Sequence, residues 1–178
     1  MNKLSLIEVE KAIRSIPDFP RVGINFKDLT TAFKSPSVFK YIVDTLYDHY
    51  KDCNITKVVG VESRGFIIGA ALAYKLNAGF VLVRKPGKLP ADTYSQTYSL
   101  EYGEDTLEIH KDALVEDDVV LLHDDLLATG GTALAALDLI SKCGVKTKFV
   151  NFICELAFLG GAARFGDAEV YSLIVFNE

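Results

Sequence analysis

The chain has 178 residues, 49% of them hydrophobic and 24% charged, with 5 prolines and a formal net charge of −5. A folded chain of this size buries about 70% of its unfolded surface, enough for one domain without a disulfide or structural metal. Disorder and collagen-like repeats are excluded, and the acidic balance argues against a nucleic-acid partner, which needs clustered Lys and Arg.

Cys53, Cys143 and Cys154 form no CxxC pair, and His49, His110 and His123 have no zinc-site spacing, so no residue is picked as a metal ligand. Charged residues interrupt the N-terminal stretch Met1 to Ile16, and no apolar run is long enough to span a membrane. The expectation is a cytoplasmic protein with no membrane partner.

In chain order, a first helix is expected from about Leu4 to Ile16, stopped by Pro17, and Pro17 to Thr31 reads as an irregular arm. Ser35-Pro36 supplies a cap and a first-turn proline to a helix striped by Phe39, Ile42, Val43, Leu46 and Tyr50. Short apolar runs of strand type follow at Lys57–Val61, Phe80–Arg84, Val119–His123, Lys148–Ile153 and Val170–Phe176. Helix-like segments follow three of them: Phe66–Leu76, Thr132–Lys142 and Leu159–Phe165. This alternation predicts βαβ units and an α/β fold, a central and mainly parallel sheet flanked by helices. Between Lys85 and His110 the pattern changes. Tyr98 to Tyr102, a Gly103-Glu104 turn and Thr106 to Ile109 read as a hairpin inserted into that core.

The chemistry is concentrated between Val119 and Thr132, where an apolar strand ends in Asp124-Asp125 and Thr129-Gly130-Gly131-Thr132 opens a helix rich in Ala and Leu. Glycines let the backbone turn tightly and expose consecutive N–H groups, and a helix N-terminus adds positive potential. On its own, Gly-Gly after a strand is more often a plain turn. The flanking threonines and preceding acids shift that reading towards a phosphate cradle. The loop is neither a Walker loop nor GxGxxG. Acids beside a phosphate site would repel the ligand unless they hold sugar hydroxyls or face a developing cation. A ribose phosphate meets both conditions.

The stretch Asp124-Asp125-Leu126-Leu127-Ala128-Thr129-Gly130-Gly131-Thr132 resembles the phosphoribosyl-diphosphate (PRPP) signature of the type I phosphoribosyltransferases. Five further blocks extend the likeness to the members of that family that act on adenine: Asp18-Phe19-Pro20, Phe26-Lys27-Asp28, Ser63-Arg64-Gly65-Phe66, the run Arg84 to Pro90, and Tyr98 to Gly103. The resemblance implies a single domain over residues 1–178, with an N-terminal hood arm over about 1–34 and a flexible flap over about 91–102. It implies the purine-salvage reaction of adenine with PRPP to give AMP and pyrophosphate, with Mg²⁺ carried mainly by the substrate diphosphate. A homodimer is implied as well.

By the same resemblance, Ala128, Thr129, Gly130, Gly131 and Thr132 bind the 5′-phosphate, and Asp124 and Asp125 the ribose hydroxyls. Ser63, Arg64 and Gly65 form the pyrophosphate loop, preceded by a cis peptide between Glu62 and Ser63. Lys85 and Lys88 join Arg64 in neutralising the diphosphate. Phe26 and Leu156 clamp the adenine ring, backbone groups near Asn25 and Lys27 read its edge, and Glu101 handles the N7 proton. Lys27, Asn25 and His123 depart from the family's usual residues, arginine at the first and apolar side chains at the other two. The rivals are the same transfer to another purine base, a non-catalytic PRPP-sensing regulator, and a nucleotide-binding module without turnover.

Overall fold

The computed structural model describes residues 4–19, 22, 25–100 and 103–178. Its elements in chain order are α1 (Leu6–Lys11), β1 (Arg14–Ile16), β2 (Phe26–Asp28), α2 (Thr30–Phe33), α3 (Pro36–Tyr50), β3 (Lys57–Val61), α4 (Gly65–Leu76), β4 (Gly79–Val83), β5 (Thr93–Leu100), β6 (Gly103–His110), β7 (Val120–Leu127), α5 (Gly131–Lys142), β8 (Phe149–Leu156) and β9 (Glu169–Phe176). The central sheet has the order β4-β3-β7-β8-β9 with every pairing parallel. The expected α/β architecture is present, with Lys57–Val61 as predicted.

From β3 the chain passes through α4 to β4 on one side, whereas from β7 it passes through α5 to β8 on the other. Right-handed crossovers running in opposite directions place their helices on opposite faces. One face accordingly packs Ile42 and Leu46 of α3 with Ile68 and Leu72 of α4, and the other packs Ala136, Leu139 and Ile140 of α5 with Leu107 and Ile109 of β6. Among the described residues, no helix is long and apolar enough to cross a membrane.

Four expectations change. The first helix ends at Lys11 rather than Ile16, because the Thr31 hydroxyl donates to Ala12 O at 2.6 Å and accepts from Arg14 N at 3.1 Å. Arg14–Ile16 then pairs antiparallel with Phe26–Asp28, so the arm contains a small sheet. Leu159–Phe165 is not an α-helix. Gly160, at φ +67°, separates two short 3₁₀ turns, Ala157–Leu159 and Gly161–Arg164. In the hairpin, Leu100 pairs with Gly103, so Gly103 and Glu104 belong to β6 rather than to a turn.

Candidate active site

β7 runs on past the predicted His123 to Leu127, which sets Asp124 and Asp125 within its second half. Beyond it, Gly130 takes φ +83° and caps α5, whose first N–H groups have no intrahelical partner. The loop is braced from behind. A Cβ added to Gly161 would come within 2.2 Å of Ala128 O, so this close approach admits only glycine. Arg164 Nη1 donates to Thr129 O at 2.6 Å.

A cavity of about 470 Å³ opens at the C-terminal ends of β3 and β7. It is lined by Ser63, Arg64, Lys85, Asp124, Asp125, Ala128, Thr129, Gly130, Gly131 and Thr132, all anticipated from the sequence. Gly65 lies behind the lining at the start of α4, where a Cβ would stand 3.0 Å from Asp124 Oδ1. The peptide between Glu62 and Ser63 is cis, as the resemblance implied. Lys88 is exposed and does not line the cavity; its carbonyl accepts from Arg84 Nη1 at 3.0 Å.

The residues expected on the base side, Asn25, Phe26, Lys27 and Leu156, are not in the lining of this cavity. The Phe26 ring lies 5.5 Å from the Arg64 guanidinium and meets Phe19 edge-on at 5.2 Å. Lys27 is buried, and its Nζ donates to Ser15 Oγ at 3.0 Å and sits 4.3 Å over the Phe176 ring. Leu156, also buried, pairs in register with Phe176, while Asn25 is exposed. Glu101 lies outside the described residues.

Seven lining residues were not picked from the sequence: Glu62, Tyr98, Asp105, Leu126, Leu127, Ala133 and Phe152. Tyr98 and Asp105 face each other as a cross-strand pair of the hairpin, which becomes visible only once the register is known. Glu62 stands next to Ser63 in the sequence and could have been inferred from that alone. It accepts from Arg84 Nε at 3.1 Å and from Lys85 N at 2.9 Å. Burial pushes its carboxyl up, but these two donors outweigh that and hold it below its ordinary value.

Arg64 forms a two-pronged pair with Asp125, one arm through Nε to Oδ2 and the other from Nη2 to Oδ1 at 3.3 Å. Asp124 is different. Burial, and then the neighbouring Asp125 charge, raise its carboxyl well above the ordinary value. His123 is fully buried beneath the pair, and burial lowers its imidazole from 6.5 to about 4. Its Nδ1 lies 2.7 Å from Asn151 Oδ1. It therefore serves the sheet as a neutral ring.

Among the described residues, no three His, Cys, Asp or Glu side chains gather as a metal site. Four carboxyl side chains line the cavity, from Glu62, Asp105, Asp124 and Asp125; their oxygens are hard donors of the type Mg²⁺ accepts, and a diphosphate with water would supply most of such a shell.

This geometry defines an α/β protein with an anion-suited crevice at the switch point of its parallel sheet. A family model described as the phosphoribosyl transferase domain matches residues 30–162, and the chain belongs to the phosphoribosyltransferase family. Within it, the chain groups with the adenine phosphoribosyltransferases. That of Phocaeicola vulgatus is 61% identical over 153 residues, 86% of this chain and 88% of its own. The crystal structure of the Thermoanaerobacter pseudethanolicus adenine phosphoribosyltransferase matches with TM-score 0.93 at 46% identity, over 97% of this chain and 100% of that one. The APRTase of Giardia lamblia, complexed with 9-deazaadenine, matches with TM-score 0.93 at 43% identity, over 98% of this chain and 99% of its own.

Proposed function

We propose that this chain transfers the phosphoribosyl group of PRPP to adenine, forming AMP and pyrophosphate in purine salvage. The observation that carries the proposal is one cavity floored by Asp124 and Asp125, closed at one end by the Ala128–Thr132 loop and flanked at the other by Arg64 and Lys85. A 5′-phosphate fits the loop, where free N–H groups and the positive end of α5 favour an anion. The ribose hydroxyls then fall to Asp124 and Asp125. The high carboxyl pKa of Asp124 lets it either donate to or accept from a hydroxyl.

Departure of pyrophosphate from C1′ leaves positive charge on the ribose ring, as in other glycosyl transfers. The Asp124 and Asp125 side stabilises that charge, while Ser63, Arg64, Gly65, Lys85 and Lys88 are assigned to the leaving anion. This is preorganised stabilisation of opposite signs across one bond. Mg²⁺, held mainly by the diphosphate, supplies further neutralisation of the leaving group. Phe26 and Leu156 are assigned to the faces of adenine, backbone groups near Asn25 and Lys27 to its edge, and Glu101 to the N7 proton. In this reading the chain is a single domain in which the arm over about 1–34 walls the base and the flap over about 91–102 excludes water.

A cytoplasmic homodimer completes the proposal. Ile67 and Tyr74 share one face of α4 at a seven-residue spacing, are exposed with Leu82 of the edge strand β4, and form the surface we assign to the second copy. The test is AMP formation from adenine, PRPP and Mg²⁺, with hypoxanthine and guanine run in parallel. A pocket built to pair with the 6-amino group rejects a 6-oxo base by about 10⁴-fold. Comparable kcat/KM for hypoxanthine would refute the base assignment and leave the transferase class standing.

A further inference from the structure

Arg64 and Lys85, the cations that line the cavity at its diphosphate end, and Arg84 beside Lys85 each already hold a carboxylate. Arg64 pairs with Asp125, Arg84 with Glu62, and Lys85 with Asp105. The acids differ in where they are mounted. Asp125 lies in β7 and Glu62 directly follows β3, both on the central sheet, whereas Asp105 lies in β6 of the separate two-stranded hairpin. Asp105 is also the anchor of a hydrogen-bonded chain. Its Oδ2 accepts from the Tyr98 hydroxyl at 3.3 Å, that hydroxyl accepts from Thr132 Oγ1 at 3.2 Å, and Oδ1 accepts from Thr106 N at 2.8 Å. Lys85, Asp105, Tyr98 and Thr132 thus link the diphosphate end of the cavity to the phosphate loop.

We infer that Asp105 sets the enzyme's affinity for diphosphate by competing with it for the Lys85 ammonium. The inference rests on the reading of Lys85 as a diphosphate ligand. An ammonium is a compact point charge with three donors on a flexible stem, and it turns to whichever anion offers the greater charge. A bound diphosphate draws Lys85 away from Asp105 and leaves that carboxylate facing an anion of its own sign. Both effects oppose binding, and both vanish if the carboxylate is made neutral. The same competition returns Lys85 to Asp105 as pyrophosphate leaves, so Asp105 also favours product release.

Asp105→Asn keeps the shape and leaves an acceptor for Tyr98 while removing the charge. Calorimetry with magnesium pyrophosphate should show binding roughly three- to tenfold tighter than in the parent, the scale of a partly exposed ion pair plus a like-charge repulsion. Lys85→Met should weaken binding, and adding Asp105→Asn to that background should yield only the smaller part of the gain that comes from like-charge repulsion. Unchanged or weaker binding in Asp105→Asn overturns the inference, a loss marking the carboxylate as a ligand of the cation that the diphosphate carries. A full gain in the Lys85→Met background also overturns it, since the effect would then be a general field. If instead Lys85→Met binds magnesium pyrophosphate like the parent, the assignment of Lys85 itself fails. Melting curves of each variant confirm the fold.

Discussion

Replacing His123 with glutamine isolates a proton-linked cost built into the central sheet. His123 is fully buried in β7, against the helical turn of α4 at Gly69 and the ring of Phe80. Asn151 uses its Nδ2 on Tyr171 O at 3.1 Å, so its Oδ1 accepts from His123 Nδ1, and Nε2 is left buried with no partner. Protonating Nε2 would place an uncompensated charge inside the sheet, with Asp125 on the same strand face giving only partial relief. The folded imidazole therefore titrates near 4 and the unfolded one near 6.5. Above pH 7 both states are neutral and the group contributes nothing to pH dependence. As pH falls below 6.5 the unfolded chain takes the proton and the native state does not, so stability is lost until the native group titrates near 4. The difference amounts to about 3 kcal/mol at pH 4. Asp124 works in the opposite sense, since its raised carboxyl makes the native state gain relative stability as pH falls. Only a comparison between parent and variant separates the two. Glutamine can still donate to Asn151 but cannot titrate. Urea unfolding of both proteins from pH 7.5 to pH 4, at one protein concentration, should give stability curves that converge or cross by that amount. A difference constant to within about 0.5 kcal/mol over the range would refute the assignment of a neutral, proton-excluding His123.

Two further outcomes probe the phosphate loop and the base side. Gly161→Ala forces a Cβ against Ala128 O, and the overpacking should cost about 1–3 kcal/mol and shift the loop. Calorimetry should show PRPP binding weakened by about tenfold, and a parent-like affinity would show that Gly161 does not shape the cradle. Phe26→Ala removes the ring beside Arg64. Since base–aromatic stacking is worth about 1–3 kcal/mol, KM for adenine should rise about 10- to 100-fold with KM for PRPP unchanged, and equal rises in both would remove Phe26 from the base pocket.

What was legible in the sequence was whatever a short contiguous pattern encodes. The strand–acid–acid–Gly-Gly–helix order placed Asp124 through Thr132 correctly on the cavity because each residue's position follows from its neighbours along the chain. Local pattern failed where a distant residue decided the outcome. The apolar spacing through Ile13 and Ile16 extends a helix on paper, but Thr31 captures the backbone at Ala12 and Arg14 and converts the rest to a strand. Tyr98 and Asp105 escaped notice because their pairing depends on a register that the misplaced Gly103-Glu104 turn had shifted. Lys88 was assigned to the diphosphate beside Lys85 through the resemblance; it stands outside the cavity lining, where its carbonyl accepts from Arg84 Nη1. Gly161 and Arg164 carry no local signature of a role, and only their approach to Ala128 and Thr129 reveals one.

The placement of the site follows from the order of the strands. β3 and β7 are neighbours in the sheet although α4, β4, β5 and β6 lie between them in the chain. The chain leaves β3 and β7 in opposite directions, and the gap between their C-terminal ends is the crevice such sheets offer to ligands. α4 and α5 both begin there, on opposite faces and each at a glycine, Gly65 and Gly131. Their positive ends converge on one opening. That convergence explains how Asp124 and Asp125 coexist with a site for a highly charged anion. The acids occupy the floor between two helix N-termini, and Arg64, the cap residue of α4, neutralises Asp125 directly. The acid pair, the Gly-Gly turn and the strand order are therefore one arrangement, and the chemistry assigned to it depends on all three.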